Sequence, residues 1–515
     1  MVRKSLHPVN ILPSKNPLRL GFADKLWPLH QKFTSWQLKL LGDRRTRLLD
    51  AHEGLKFPDY DRTPQPMLPP GMPPPWKIRL PDYLLDQRNQ ITGPADSAGM
   101  VVGMSNSGSP GRMLDLEDSM VNTWEHSEPA FNNIVGGLYG SLTFVKEDGK
   151  TVAIDPAKTE NTVAFVRVRG LHMSQWGVYG DSVAAALFDT AMLVDRLDLD
   201  RLPHRTLHIY IPKSESAAEG LWWAAMFKDV CRAWGWPDDA IKCMALVESH
   251  PLAYEMDQFI YALRDHIGGL NLGRWDYMAS LGHFMMTNPD WVLPDRDAIP
   301  HDVPFFQNLR RMMVETCHYR GILAIGGMTA LFPDKEAAEL DAGALEALAR
   351  DKKNEADVGM DGAWTGHPKQ NAVAVAQFPV PNQLHVPRPA GRLLPLREQP
   401  KDLPVSADGT RAALRTAILY RVGVLKGRGA SLIRGSDGKN RMEDLATDRI
   451  CRVLVGQRIA LGIHTEYDVV KMLDEEKAKL SGVLQGENLL WEYKLLCKAA
   501  LITLEMIILK DFDPA

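Results

Sequence analysis

Two carboxylates close two similar stretches of this chain. An apolar run from Met244 to Val247 reaches Glu248, and the run Leu270 to Leu272 leads through Gly-Arg-Trp to Asp276. The two are about one strand–helix–strand unit apart. In a parallel sheet they would leave neighbouring strands at the same, C-terminal, edge. Two hard oxygen ligands without a nearby cysteine suit Mg²⁺, with water and substrate filling its other positions. Residue types alone leave a second reading open, in which both are solvated loop carboxylates.

The elements that would position these residues are short apolar runs alternating with longer helix-like stretches. Eight candidate strands begin at Asn89, Arg112, Val163, Leu207, Lys242, Gly269, Ile322 and Gly362. Such alternation implies a parallel sheet. Eight units over about 280 residues fit an α/β fold, a closed (β/α)₈ TIM barrel. The alternative is a doubly wound open sheet, but no G-x-G-x-x-G stands at the first strand–helix turn. Nearly every candidate strand ends in polar residues: Asp115 and Glu117, Arg167 and Arg169, Lys213, Glu248, Asp276, Trp364 with His367. In a barrel these ends share the catalytic face.

Around this core the chain divides into four parts. Residues 1–80 form a helical segment and a Pro-rich linker; within them Phe22, Leu26, Leu29, Phe33, Trp36 and Leu40 make one apolar stripe. The basic run Asp43-Arg-Arg-Thr-Arg47 reads as a solvated helix face rather than a phosphate grip. Pro64 to Pro75 holds neither helix nor central strand. Residues 81–378 form the barrel, residues 379–409 a second Pro-rich connector, and residues 410–515 an all-helical unit broken by one loop, Lys426 to Asn440. Trp222, Trp223 and Phe227, at helix spacing, read as core. His250, His318 and His367 read as hydrogen-bonded loop histidines, and Cys317 as a small buried residue.

Composition narrows the class. The 515 residues are 45% hydrophobic and 24% charged with net charge −4, which is ordinary for a globular protein and gives no electrostatic case for nucleic acid or anionic membrane. The five cysteines are scattered without a C-x-x-C pair, which favours free thiols in a reducing compartment. The basic N-terminus lacks an apolar signal core. The run Ala499 to Leu509 is too short to span a bilayer, and the chain ends Asp-Pro-Ala rather than Ser-Lys-Leu. A cytoplasmic protein without a membrane partner is expected.

Val247-Glu-Ser-His-Pro251, followed by Leu263-Arg-Asp-His-Ile-Gly-Gly-Leu-Asn-Leu-Gly-Arg-Trp-Asp-Tyr277, resembles the signature region of the malate synthases, A-type form. Asp115-Leu-Glu-Asp-Ser119, Arg167-Val-Arg-Gly-Leu-His172, Tyr210-Ile-Pro-Lys213, Asp361-Gly-Ala-Trp364 and Met442-Glu-Asp-Leu-Ala-Thr447 carry the likeness along the chain. The resemblance implies a TIM barrel with an N-terminal helical domain and a C-terminal helical plug. It implies condensation of acetyl-CoA with glyoxylate, then thioester hydrolysis to malate. Glu248 and Asp276 would bind Mg²⁺, which polarises the aldehyde. Gly273, Arg274 and Trp275 would hold the glyoxylate carboxylate. Asp444 would remove a methyl proton from acetyl-CoA, and Arg167 would stabilise the enolate; Arg169 is then the structural one of the two arginines. Asp115 and Glu117 would orient Arg167 and metal-bound water. Trp364 would wall the glyoxylate site, and Pro368 would line the acetyl-CoA entry. The loop Ser431 to Arg441 is longer and more polar than the family's, and His367-Pro-Lys369 stands where His-Pro-Gly is usual. These departures leave two further readings: a paralogue using another acyl-CoA or 2-oxo acid, or acting as a malyl-CoA-type lyase, and a catalytically silent binding protein.

Overall fold

The computed structural model describes residues 10–13, 18–60, 76–329, 331–332, 338–387, 393–435, 438–484 and 488–513. Pro64 to Pro75, part of the second Pro-rich connector and two residues of the 426–440 loop lie outside them.

All eight expected strands form, and they close on themselves. They are β1 (Asn89–Pro94), β2 (Gly111–Asp115), β3 (Val163–Arg167), β4 (Leu207–Ile211), β5 (Ile241–Val247), β6 (Ile267–Leu272), β7 (Leu323–Gly326) and β8 (Gly362–Thr365). Each pairs in parallel with its sequence neighbours, and β1 pairs with β8, so the sheet has no edge. The open-sheet alternative is excluded. Register brings the polar strand ends together: Asp115 pairs with Arg167, Arg167 with Tyr210, and Leu272 with Val247. Inside the barrel, Gln90 accepts hydrogen bonds from Tyr210 Oη at 2.8 Å and Trp364 Nε1 at 2.9 Å, which makes a polar layer beneath the C-terminal face.

Helix α1 (Phe22–His52) lies across the barrel's outer helices, on α2 (Ala217–Ala233). Its stripe residues Phe22, Leu26, Leu29, Phe33 and Leu40 are buried, each worth about 1.5–3 kcal/mol relative to exposure. Trp222 and Trp223 are core, and Trp222 Nε1 donates to Phe33 O at 2.9 Å. Of the basic run, Asp43, Arg45 and Thr46 form the solvated face its composition suggests, and Arg44 is the exception. Arg44 is buried, donates to both carboxylate oxygens of Glu219 at 2.7 and 2.6 Å, and donates to Lys213 O at 2.8 Å. A buried guanidinium needs such partners, and only tertiary packing supplies them.

The C-terminal helices α4 (Ala407–Leu425), α5 (Leu445–Ala460), α6 (Glu466–Gly482) and α7 (Leu489–Ile508) form the plug. Helix α5 packs on α3 (Arg274–Phe284), the barrel helix that follows β6. Gln457 accepts from Leu293 N and donates to Met285 O and Trp291 O, at 2.8 to 3.0 Å. The interrupting loop is in part a β-hairpin, Ser431–Arg434 against Asn440–Glu443, and the sequence reading missed it. Two further short hairpins, Thr143–Val145 with Thr151–Ala153 and Ser174–Trp176 with Ser182–Ala184, also escaped that reading. No helix among the described residues is long and apolar enough to cross a membrane.

Candidate active site

A cavity of about 670 Å³ opens at the C-terminal end of the barrel. Its lining includes Asp118, Arg167, Glu248, Gly273, Arg274, Trp275, Asp276 and Trp364 from the barrel, with Met442 and Asp444 from the plug. Asp115 and Glu117 stand behind Arg167. Pro368 is outside the lining, at the first position of the helix Pro368–Val375, and Gly366 takes its place there.

Arg167 closes β3 and meets Asp115 in a two-pronged contact, Nε to Oδ1 and Nη2 to Oδ2, both at 2.6 Å. Its Nη1 lies 3.2 Å from Asp118 Oδ2 and 3.6 Å from Glu117 Oε2. Burial works against the guanidinium's charge, but Asp115 and Asp118 outweigh it and hold the group protonated well beyond its ordinary range. Burial likewise opposes the Asp115 charge, and Arg167 wins, with Ser119 and the Glu117 amide adding hydrogen bonds; its pKa falls. The guanidinium stacks 5.6 Å over the Trp364 ring. Arg169 faces elsewhere and is bound to Asp189, with Nη2 to Oδ1 at 2.6 Å. The two arginines of the motif are thus separated, and Arg167 alone of the pair lines the cavity.

Lys213 sits among the carboxylates, a placement not foreseen from its position at a strand end. Its Nζ is 2.7 and 2.6 Å from the two Asp118 oxygens, 3.3 Å from Glu117 Oε2 and 3.4 Å from Asp276 Oδ2. Its backbone N–H donates to Glu248 Oε1 at 2.8 Å. The turn needs a left-handed φ of 47° at this residue, which costs a non-glycine about 1–3 kcal/mol. The Arg44 contact on its carbonyl helps to hold that turn.

Glu248 and Asp276 follow β5 and β6 as expected. A Cβ on Gly273 would fall 2.5 Å from Glu248 Oε2, so the glycine is what admits that carboxylate. Asp276 Oδ1 is buried with no hydrogen bond among the described residues, and Arg449 Nη1 of α5 approaches it to 3.6 Å. Burial raises the Glu248 pKa to about 7; Lys213 opposes this and Asp276 adds to it. Among the described residues no three His, Cys, Asp or Glu side chains form a ready-made metal cluster. The uncommitted oxygens of Glu248 and Asp276, within an excess of negative charge, still fit a hard divalent cation completed by water or substrate oxygens. The following helix, Arg274–Phe284, begins beside them, and its first-turn N–H groups suit a carboxylate.

Asp444 arrives from the plug as the N-cap of α5. Its Oδ1 accepts from Ala446 N and Thr447 N, and Thr447 Oγ1 accepts from Asp444 N, a reciprocal capping box. One carboxylate oxygen is therefore fixed in the cap and the other lies outside it. Burial, then the charges of Asp118 and Asp276, raise its pKa to about 8. Of the hairpin before it, Met442 lines the cavity, whereas Ser431–Arg434 and Arg441 do not. His250 is within 3.2 Å of Tyr277 Oη, His318 Nε2 is 2.9 Å from Asp361, and His367 caps its helix. Asp118 and Arg449 went unnoticed in the sequence. Asp118 had a signal, since it continues the acidic run at the end of β2; Arg449 had none, because it comes from a helix far along the chain.

The family model described as "Malate synthase, TIM barrel domain" matches residues 163–392. Malate synthase A of Escherichia coli is 34% identical over 462 residues, covering 86% of this chain and 83% of that protein. The malate synthase of Streptomyces clavuligerus is 35% identical, covering 76% of this chain and 74% of that protein. The malate synthase of Myxococcus xanthus is 31% identical, with coverages of 86% and 83%.

Proposed function

The chain belongs to the malate synthase family, and from that premise we propose how its residues divide the work of joining acetyl-CoA to glyoxylate and hydrolysing the product to malate and CoA. One observation carries the reading. Asp444 from the plug, Arg167 held by Asp115, and the Glu248/Asp276 pair all face a single cavity.

Glu248 and Asp276 would hold Mg²⁺, which when bound supplies Lewis-acid polarisation of the aldehyde. The first-turn N–H groups after Gly273 bind the glyoxylate carboxylate, and the Trp364 ring closes one side. Asp444 takes a proton from the acetyl methyl group through its uncapped oxygen. A thioester methyl is a very weak acid, so the carboxylate needs an electrostatic partner at the enolate oxygen. Arg167 is suited to that task, since its charge cannot be lost and Asp115 fixes its plane. The enolate carbon then attacks the aldehyde, and hydrolysis of the thioester releases CoA. The base stands on a different unit from the other groups, which lets plug closure exclude water before the enolate forms. The strand Ser431–Arg434 and Arg441 stay out of the cavity lining, which favours acetyl-CoA and glyoxylate over the paralogue reading. We place the enzyme in the cytoplasm, in keeping with five unpaired cysteines.

The test is free-CoA release from acetyl-CoA plus glyoxylate, with and without Mg²⁺, and identification of malate. Release that needs both substrates and the metal supports the reading. No release from folded protein overturns it.

A further inference from the structure

A second cavity, of about 1210 Å³, lies behind the site between α1, α5, the helix Arg274–Phe284 and the segment after α7. The mechanism above does not use it. Two of its lining residues, His172 and Arg449, reach the active-site carboxylates. Arg449 approaches Asp276, as described. His172 Nε2 lies 3.6 Å from Glu117 Oε1, and Glu117 Oε2 in turn is 3.6 Å from Arg167. The wall between the two cavities is therefore only one or two side chains thick.

His172 is built for something other than packing. Its side chain is buried, yet among the described residues neither ring nitrogen finds a hydrogen-bond partner, and neither does Glu117 Oε1 opposite it. Two facing buried polar groups left in this way are what a bridging water satisfies. Gly170 is what admits the pair: a Cβ there would fall 2.7 Å from the His172 ring and 3.2 Å from Glu117 Oε1. Burial, then the charges of Lys213, Arg44 and Arg449, hold the imidazole neutral, so one nitrogen donates and the other accepts.

The proposed reaction has a supply problem. An acyl-CoA seated for condensation would enter the front cavity by its mouth, and CoA stays until its thioester is cleaved. From behind, Glu117 and the Arg167 head group, each 3.6 Å from the next group, are what stand between the His172 ring and the front cavity. The geometry points to the rear cavity as the source of the hydrolytic water, with His172 as the residue that positions it against Glu117 for passage beside Arg167 to the thioester. The inference rests on the proposed function. The water oxygen bonds to the thioester carbon and the C–S bond breaks. One water proton ends on the CoA sulfur, and the other leaves the new malate carboxyl through His172 to water in the rear cavity.

The test is a single-turnover reaction of the full chain with Mg²⁺, acetyl-CoA and glyoxylate, quenched in acid and read for malyl-CoA and malate. Malate from the wild type first settles the parent reading by itself. In His172→Phe, malyl-CoA should become the main quenched species, with malate formation at least tenfold slower and acetyl-CoA loss changed less than about threefold. His172→Gln, which keeps a donor and an acceptor, should restore much of the hydrolysis. Leu49→Trp with Ile508→Trp narrows the rear cavity far from the reacting groups, and should slow malate formation without slowing acetyl-CoA loss. Parallel slowing of both steps in His172→Phe, or unchanged malate formation in it, overturns the proposal. Should that variant not fold, the Leu49/Ile508 pair decides alone.

Discussion

Arg296 and Glu443 form a buried two-pronged ion pair, at 2.7 and 2.9 Å, one residue before Asp444. Arg296 belongs to the barrel and Glu443 to the plug, so the pair pins the proposed base to the unit that carries the substrate. Breaking a buried pair from one side costs about 3–5 kcal/mol, because the other charge is left uncompensated. Arg296→Leu should lower Tm accordingly and reduce kcat more than it changes KM for glyoxylate. Unchanged kcat with lowered Tm would mean the pair acts on stability alone.

Asp444→Asn separates the cap from the chemistry. Asparagine caps a helix as well as aspartate does, so Tm should stay close to that of the wild type. A general base of this kind contributes about 10²–10⁴-fold, and turnover should fall by that order while glyoxylate and Mg²⁺ still bind. Near-normal turnover would remove Asp444 from the mechanism.

Arg167→Lys keeps the charge and loses the fork. Lysine cannot meet both Asp115 oxygens and still face the enolate. A loss of about 10²–10³ in kcat is expected, the scale for a removed oxyanion donor. A variant within threefold of the wild type would place the enolate elsewhere.

The metal-free protein should respond to pH in a definite direction. Burial lifts Glu248 to about 7 and Asp444 to about 8, and above about pH 6.5, where buried histidines such as His208 and His250 are neutral in both states, these two sites bind more protons in the folded chain than in the unfolded one up to about pH 8. Stability then falls as pH rises through that window. Added Mg²⁺ competes with those protons, so its Tm increment should be larger at pH 8 than at pH 6, and its apparent affinity about tenfold higher. Thermal shift at the two pH values, with Asp276→Asn as control, checks this; an increment independent of pH would contradict it.

What could be read from the sequence was what periodicity controls. The eight barrel strands are apolar runs whose ends are polar, and a strand's end is a local property, so Arg167, Glu248 and Asp276 declared their shared edge. Lys213 sat at such an end too, but its four carboxylate neighbours come from three other strand ends and its turn is left-handed, neither of which a linear pattern records. Arg44 read as solvent-facing because its partners, Glu219 and the Lys213 carbonyl, lie far along the chain. The hairpin before Asp444 is too short to show a period of two.

The placement of Asp444 also has a consequence in time. During synthesis every barrel strand is complete at Thr365, long before the ribosome reaches residue 444. An unfinished chain can thus shape the barrel end of the cavity, but it lacks the proposed base. Reactivity arrives only with the last fifth of the polypeptide, so a truncated translation product would be inert toward the cell's acetyl-CoA instead of wasting it.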